Sequence, residues 1–148
     1  MLIDKDLILL DEEFLTKEEI IENVGKLLGE KDRLNDVEGY IDAVKERENE
    51  VSTNLGDGIG MPHARTDCVK KSSLVFIRLK NPIQWGDESP VRIIFQIAVP
   101  DDSGNLHLKI LAQLARKLIY EEFKEKIFAI ESKEELLRLL EEATGGLE

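Results

Sequence analysis

Apolar positions recur at helical spacing in some stretches of this chain and as unbroken runs in others. Thr16-Lys-Glu-Glu19 has the form of a capping box, and behind it Ile20, Ile21, Val24, Leu27 and Leu28 share one face at the 3.6-residue period. That pattern predicts an amphipathic helix. Asn35 or Asp36 is placed to cap a second helix carrying Val37, Tyr40, Ile41 and Val44, whose apolar face ends at the charged run KERENE at 45–50. Leu7 to Leu10 reads as a short strand. The runs LVFIRL at 74–79 and VRIIFQIAV at 91–99 are continuous rather than alternating, as expected of central strands buried on both faces. Between them NPIQWGDESP is turn-rich and predicts a surface connection, with room for a short edge strand around Trp85. Past Pro100, DDSGN offers N-caps to a helix reaching about Tyr120, and Ser132-Lys-Glu-Glu135 is a second capping box opening a C-terminal helix. Thr144 to Glu148 reads as a frayed tail.

Helices and strands that intersperse in this way predict an α/β fold, a mixed β-sheet flanked by helices on both faces. The chain of 148 residues shows no repeat, low-complexity run or long linker, so residues 1–148 are expected to form a single domain. Strand order is not encoded in the pattern.

Charge narrows the partners. With 31 acidic against 20 basic residues the formal charge is -11, which repels phosphate backbones and argues against nucleic acid or an anionic membrane surface. The N-terminal MLIDKDLILL carries acids around an apolar stretch too short for a signal peptide or a spanning helix. The lone Cys68 has no internal partner for a disulfide. A cytoplasmic location, without membrane insertion, is the expectation.

Candidate chemistry is sparse. One of the two histidines, His63, follows Gly58-Ile-Gly60-Met61-Pro62, where proline holds Met61 extended and the glycines leave the approach open. This predicts an exposed, stiffly aimed imidazole. A neutral imidazole is a good nucleophile for phosphoryl carriage, provided its second nitrogen keeps a proton held by an acceptor such as a backbone carbonyl or carboxylate. An ordinary loop histidine capping nearby backbone fits the same residues. His107 begins an apolar face with Leu111, Leu114 and Leu118, so a partly buried structural histidine is one reading. In a first helical turn, where the macrodipole favours a neutral ring and a bound anion, donation to a phosphoryl oxygen is the other. Arg47 reads as one solvated charge among several, or as a fork of donors for a phosphoryl group in transit. Ser52 and Thr53 suit hydroxyl donation or turn roles equally. The Gly56-x-Gly58-x-Gly60 spacing fits neither a dinucleotide fingerprint nor a phosphate loop, and no metal-ligand spacing is present. No cofactor or metal is expected.

The run RENEVSTNLGDGIGMPHAR at 47–65 resembles the signature of the enzyme IIA domain of the mannitol/fructose type (type 2), in the bacterial sugar phosphotransferase system (PTS). The likeness extends from the Thr16 helix through VRIIFQIAVP and HLKILAQLAR to the Ser132 helix. It implies a phosphotransferase in which His63 accepts a phosphoryl group from the phosphohistidine of the carrier HPr. The group then passes to a cysteine of an enzyme IIB, which serves a membrane enzyme IIC and a sugar such as fructose or mannitol. By the same resemblance His107 assists the phosphoryl group, and the family's Arg-Glu pair falls on Arg47 and Glu48. A regulatory, nitrogen-type enzyme IIA, whose phosphorylation state controls protein partners, is the alternative within the family. Many members carry alanine where this chain has Gly60.

Overall fold

The computed structural model describes residues 1–145 and 147. Its strands are β1 (Ile8–Glu12), β2 (Asn54–Gly56), β3 (Ile59–Gly60), β4 (His63–Thr66), β5 (Ser73–Trp85) and β6 (Glu88–Pro100). Its helices are α1 (Lys17–Glu30), α2 (Val37–Glu50), α3 (Leu106–Leu118), α4 (Glu121–Ala129) and α5 (Lys133–Ala143), with short 3-10 turns at 5–7 and 101–103. The caps of α1, α2 and α5 form as the sequence implies, whereas Asn105, from the DDSGN segment, caps α3 without a side-chain bond. Thr16 Oγ1 accepts from Glu19 N at 3.1 Å, while the Glu19 carboxylate accepts from Leu15 N at 2.7 Å, one residue earlier than the standard box. Asp36, not Asn35, caps α2 through Gly39 N, and Ser132 caps α5 through Glu135 N.

The six strands run in the order β1-β5-β6-β3-β2, with β4 also paired to β6. β5 and β6 are antiparallel, β1 lies parallel to β5, and β3 and β4 both lie parallel to β6. Since β3 pairs Ile93 and Ile94 whereas β4 pairs Ile97 through Pro100, the two short strands form one interrupted lane along β6. The interruption is Met61-Pro62, where proline supplies no ladder donor; Ile97 N still reaches Pro62 O at 3.0 Å.

Both faces are covered. Arg78, paired with Ile93, sends its guanidinium to Ile127 O and Ile130 O at the end of α4. Gln96, an odd number of residues further along β6, points the other way and reaches the Tyr40 hydroxyl of α2. The mixed sheet with helices on both faces is therefore as the sequence implied, and Phe76, Phe95, Ile94 and Ile97 in its centre are fully buried.

Three expectations are corrected. The stretch 81–90 is not a surface connection: β5 and β6 continue through it as one hairpin to a two-residue turn at Gly86-Asp87, with Gly86 at φ 61. Register shifts between Arg78 and Trp85 absorb the turn-like residues, Asn81 and Pro82 face solvent, and Ile83 and Trp85 point inward, the indole fully buried. The run at 45–50 does not end the inward stripe of α2, because Glu48 extends the Ile41–Val44 spacing and is buried. Thr144 is buried too, its hydroxyl donating to Leu140 O at 2.8 Å; Gly146 and Glu148 lie outside the described residues.

Candidate functional site

His63 opens β4. Its register partner Ile97 places it on the sheet face that α3 covers, while Ala64 turns toward α2. The expected exposed imidazole is instead buried, with the residue only 6% accessible. Pairing along β6 and the start of α3 enclose it, contacts distant in sequence that glycine and proline next door do not report. The acceptor left open by sequence reasoning is Met61 O, 2.9 Å from His63 Nδ1. A carbonyl can only accept, so Nδ1 carries the proton and Nε2 is left with its lone pair. Burial, first, and then the Arg47 charge pull the His63 pKa below its ordinary value, against the opposing effects of the Met61 hydrogen bond and the Glu48 charge. The ring is neutral near pH 7.

His107 stands second in α3, half-buried, with its ring centroid 6.5 Å from that of His63 and the planes tilted by 35°. Its Nδ1 is buried and has no hydrogen-bond partner among the described residues. Burial, followed by the charges of Arg65 and His63, lowers its pKa as well. The α3 N-cap Asn105 makes no side-chain cap bond and the first turn of the helix carries no acidic residue, so the positive end of the helix beside His107 has no carboxylate of its own first turn to compensate it.

Arg47 lies half-buried in the last turn of α2 and spends one donor on Val51 O at 2.9 Å, which leaves most of its fork uncommitted. The structure thus brings His63, His107 and Arg47 to one locus. Of the hydroxyls, Thr53 Oγ1 donates to Glu48 and Ser52 Oγ accepts from Asn54 N, so both serve the turn after α2. Sequence reasoning assigned no part to Arg65, two residues beyond His63 and on the same face. Its guanidinium donates to Gly104 O at 2.9 Å, tying β4 to the loop that delivers His107. The i, i+2 spacing on a strand was the available signal. Among the described residues no group of three or more His, Cys, Asp or Glu is placed to hold a metal ion.

An oriented imidazole thus stands beside a second histidine at the start of α3, on a mixed α/β sheet. Residues 1–143 match the model of the family described as phosphoenolpyruvate-dependent sugar phosphotransferase system, EIIA 2, and the chain belongs to that family, a phosphoryl-carrying component of a phosphotransferase system. It is 40% identical over 139 residues to a PTS system fructose-specific EIIA component of Haloferax volcanii, covering 93% of this chain and 90% of that one. A fructose-specific EIIABC component of Bacillus subtilis is 31% identical over 141 residues, a match covering 94% of this chain and 22% of that one. Among solved structures, the nitrogen regulatory protein IIA-Ntr from Neisseria meningitidis superposes with a TM-score of 0.85 at 31% identity, over 94% of this chain and 96% of that one. The mannitol IIA of Escherichia coli does so with 0.79 at 28%, over 93% and 97%. An Escherichia coli mannitol IIA has also been solved in complex with phosphorylated IIB. Among the described residues no helix is long and apolar enough to cross a membrane.

Proposed function

We propose that His63 takes a phosphoryl group on Nε2 from the phosphohistidine of HPr and passes it to a cysteine of an enzyme IIB, supporting uptake of a sugar. The observation that carries this reading is the Nδ1–H bond to Met61 O at 2.9 Å in a neutral ring, which leaves Nε2 as the nucleophile. The Nε2 lone pair forms the new P–N bond as the donor's P–N bond breaks, and the donor ring leaves with that electron pair. Because Nδ1 keeps its proton, the positive charge of the phosphoimidazolium travels with the phosphoryl group, and Met61 O is already placed to stabilise it. His107, with its ring 6.5 Å from that of His63, and Arg47, whose charge acts on the His63 ring, are the groups proposed to meet the equatorial oxygens. In the onward step a thiolate attacks phosphorus and His63 departs as the neutral Nδ1–H imidazole. Likeness to the Haloferax protein favours fructose as the sugar.

Incubation with phosphoenolpyruvate, enzyme I and HPr should place acid-labile label on the wild-type chain and none on His63→Ala. Label that persists in His63→Ala overturns the assignment. Likeness to the nitrogen regulatory IIA-Ntr supports a second reading, in which the phosphorylation state of His63 selects protein partners. Capture experiments comparing His63→Asp with His63→Ala separate the two, since identical partner sets count against regulation.

A further inference from the structure

Glu48 is a buried carboxylate, 4% accessible, to which the transfer chemistry gives no part. It accepts from Thr53 N at 3.0 Å, Thr53 Oγ1 at 2.5 Å and Trp85 Nε1 at 3.3 Å, with Lys17 Nζ at 3.6 Å. A charge withdrawn from water needs such partners. What they hold is informative. Thr53, gripped through both its amide and its hydroxyl, presents its carbonyl to Met61 N at 3.1 Å, and Met61 O is the acceptor of His63 Nδ1–H. Met61 sits in the break between β3 and β4, so no ladder bond sets the direction of its carbonyl. That direction is set by Thr53 O on one side and by the Ile97 N bond to Pro62 O on the other. The Trp85 indole packs against the same segment, and a Cβ added to Gly60 would stand 3.0 Å from its Cζ2 atom.

We propose that Glu48 is a positioning residue for His63: by fixing Thr53 and Trp85 it holds the Met61 carbonyl where it selects the Nδ1–H tautomer, and so directs phosphorylation to Nε2. The idea rests on His63 being the phosphorylated residue. Glycine at position 60 belongs to the same device, since it leaves space for the indole that reaches Glu48.

The test reads the ring itself. Nitrogen-15 NMR of the resting protein reports which His63 nitrogen is protonated, and phosphorus-31 NMR after treatment with phosphoramidate, a small donor needing no protein partner, reports which nitrogen is phosphorylated. Glu48→Gln is near-isosteric but removes the charge and one of the two acceptor oxygens, so the bonds from Thr53 N, Thr53 Oγ1 and Trp85 Nε1 can no longer all be charge-assisted. Thr53→Val removes one bond to Glu48 and keeps the shape. In folded Glu48→Gln the preference for Nδ1–H should fall about tenfold, the loss expected when a net hydrogen bond is weakened, and a second phosphohistidine isomer should emerge. Thr53→Val should move both signals in the same direction by less. Wild-type tautomer ratio and a single isomer in both folded variants would overturn the proposal and leave Glu48 a structural residue. If Glu48→Gln does not fold, Thr53→Val decides alone: a shift supports the positioning role and no shift ends it. Because the tautomer is measured without HPr, a shifted tautomer in a protein that HPr never labels refutes the carrier reading and not this one.

Discussion

His63 shows how burial and chemistry are coupled at one side chain. Its pKa lies below the ordinary 6.5 chiefly because the ring is buried, so protonation favours the unfolded chain, whose histidines take up protons first as pH falls. The sign follows: stability from keeping this ring neutral is complete above about 6.5 and is lost as pH drops toward the lower folded value. His107 acts in the same direction. Thermal melting should therefore fall between about pH 7 and pH 5, above the reference carboxylate range, and the double variant His63→Gln/His107→Gln should melt with a flatter profile there. An unchanged slope would show that neither ring is held neutral by the fold. Gly-Ile-Gly-Met-Pro-His and the family resemblance it carries single out His63 in the sequence, whereas its enclosure was not legible, because strands and helices remote in sequence supply it. The burial of Glu48 escaped notice for a related reason. Within KERENE a buried carboxylate looks like a solvated one, and only the 41-44-48 spacing, continuing inward from Ile41 and Val44, distinguishes it.

At the level of elements, what could be read depended on whether a signal was local. Both capping boxes, the α1 face and the cores of β5 and β6 were legible because each is set by residues within a few positions of one another. The outer half of the hairpin was not, since Asn81, Pro82, Gly86 and Pro90 suit a loop equally well, and only burial of Ile83 and Trp85 against distant partners makes the segment a strand. Residues 54–66 likewise hid three strands, each four residues or fewer, which owe their form to β6 rather than to their own composition. Local signals make local predictions. Thr16→Ala removes the oxygen that accepts from Glu19 N and should cost about 1 kcal/mol, lowering the melting temperature by roughly 2–4 °C for a chain of this size. A loss within error would mean that tertiary packing of Ile20, Ile21 and Val24 holds the first turn without its cap.

For the molecule as a whole, a formal charge of -11 acts on folding and on encounter in opposite ways. Like charges spread over a small surface repel, which disfavours the compact state, and added salt screens that repulsion. The ion pairs Lys5–Glu134, Lys31–Asp6 and Lys70–Asp32 join exposed side chains, and pairs of this kind contribute little to offset it. Raising ionic strength should therefore raise the melting temperature modestly. Transfer from HPr should respond in the reverse sense if that donor carries basic groups around its histidine, because attraction to an acidic surface speeds a transient encounter and screening removes the gain. Single-turnover labelling by phospho-HPr between about 0.02 and 0.5 M salt should slow progressively, since the Debye length contracts from tens of ångströms to a few over such a range. Melting curves on the same samples supply the control that separates the two effects, because a slower transfer accompanied by a more stable fold cannot be ascribed to unfolding. A rate indifferent to salt would mean that the acidic surface plays no part in bringing the donor to His63.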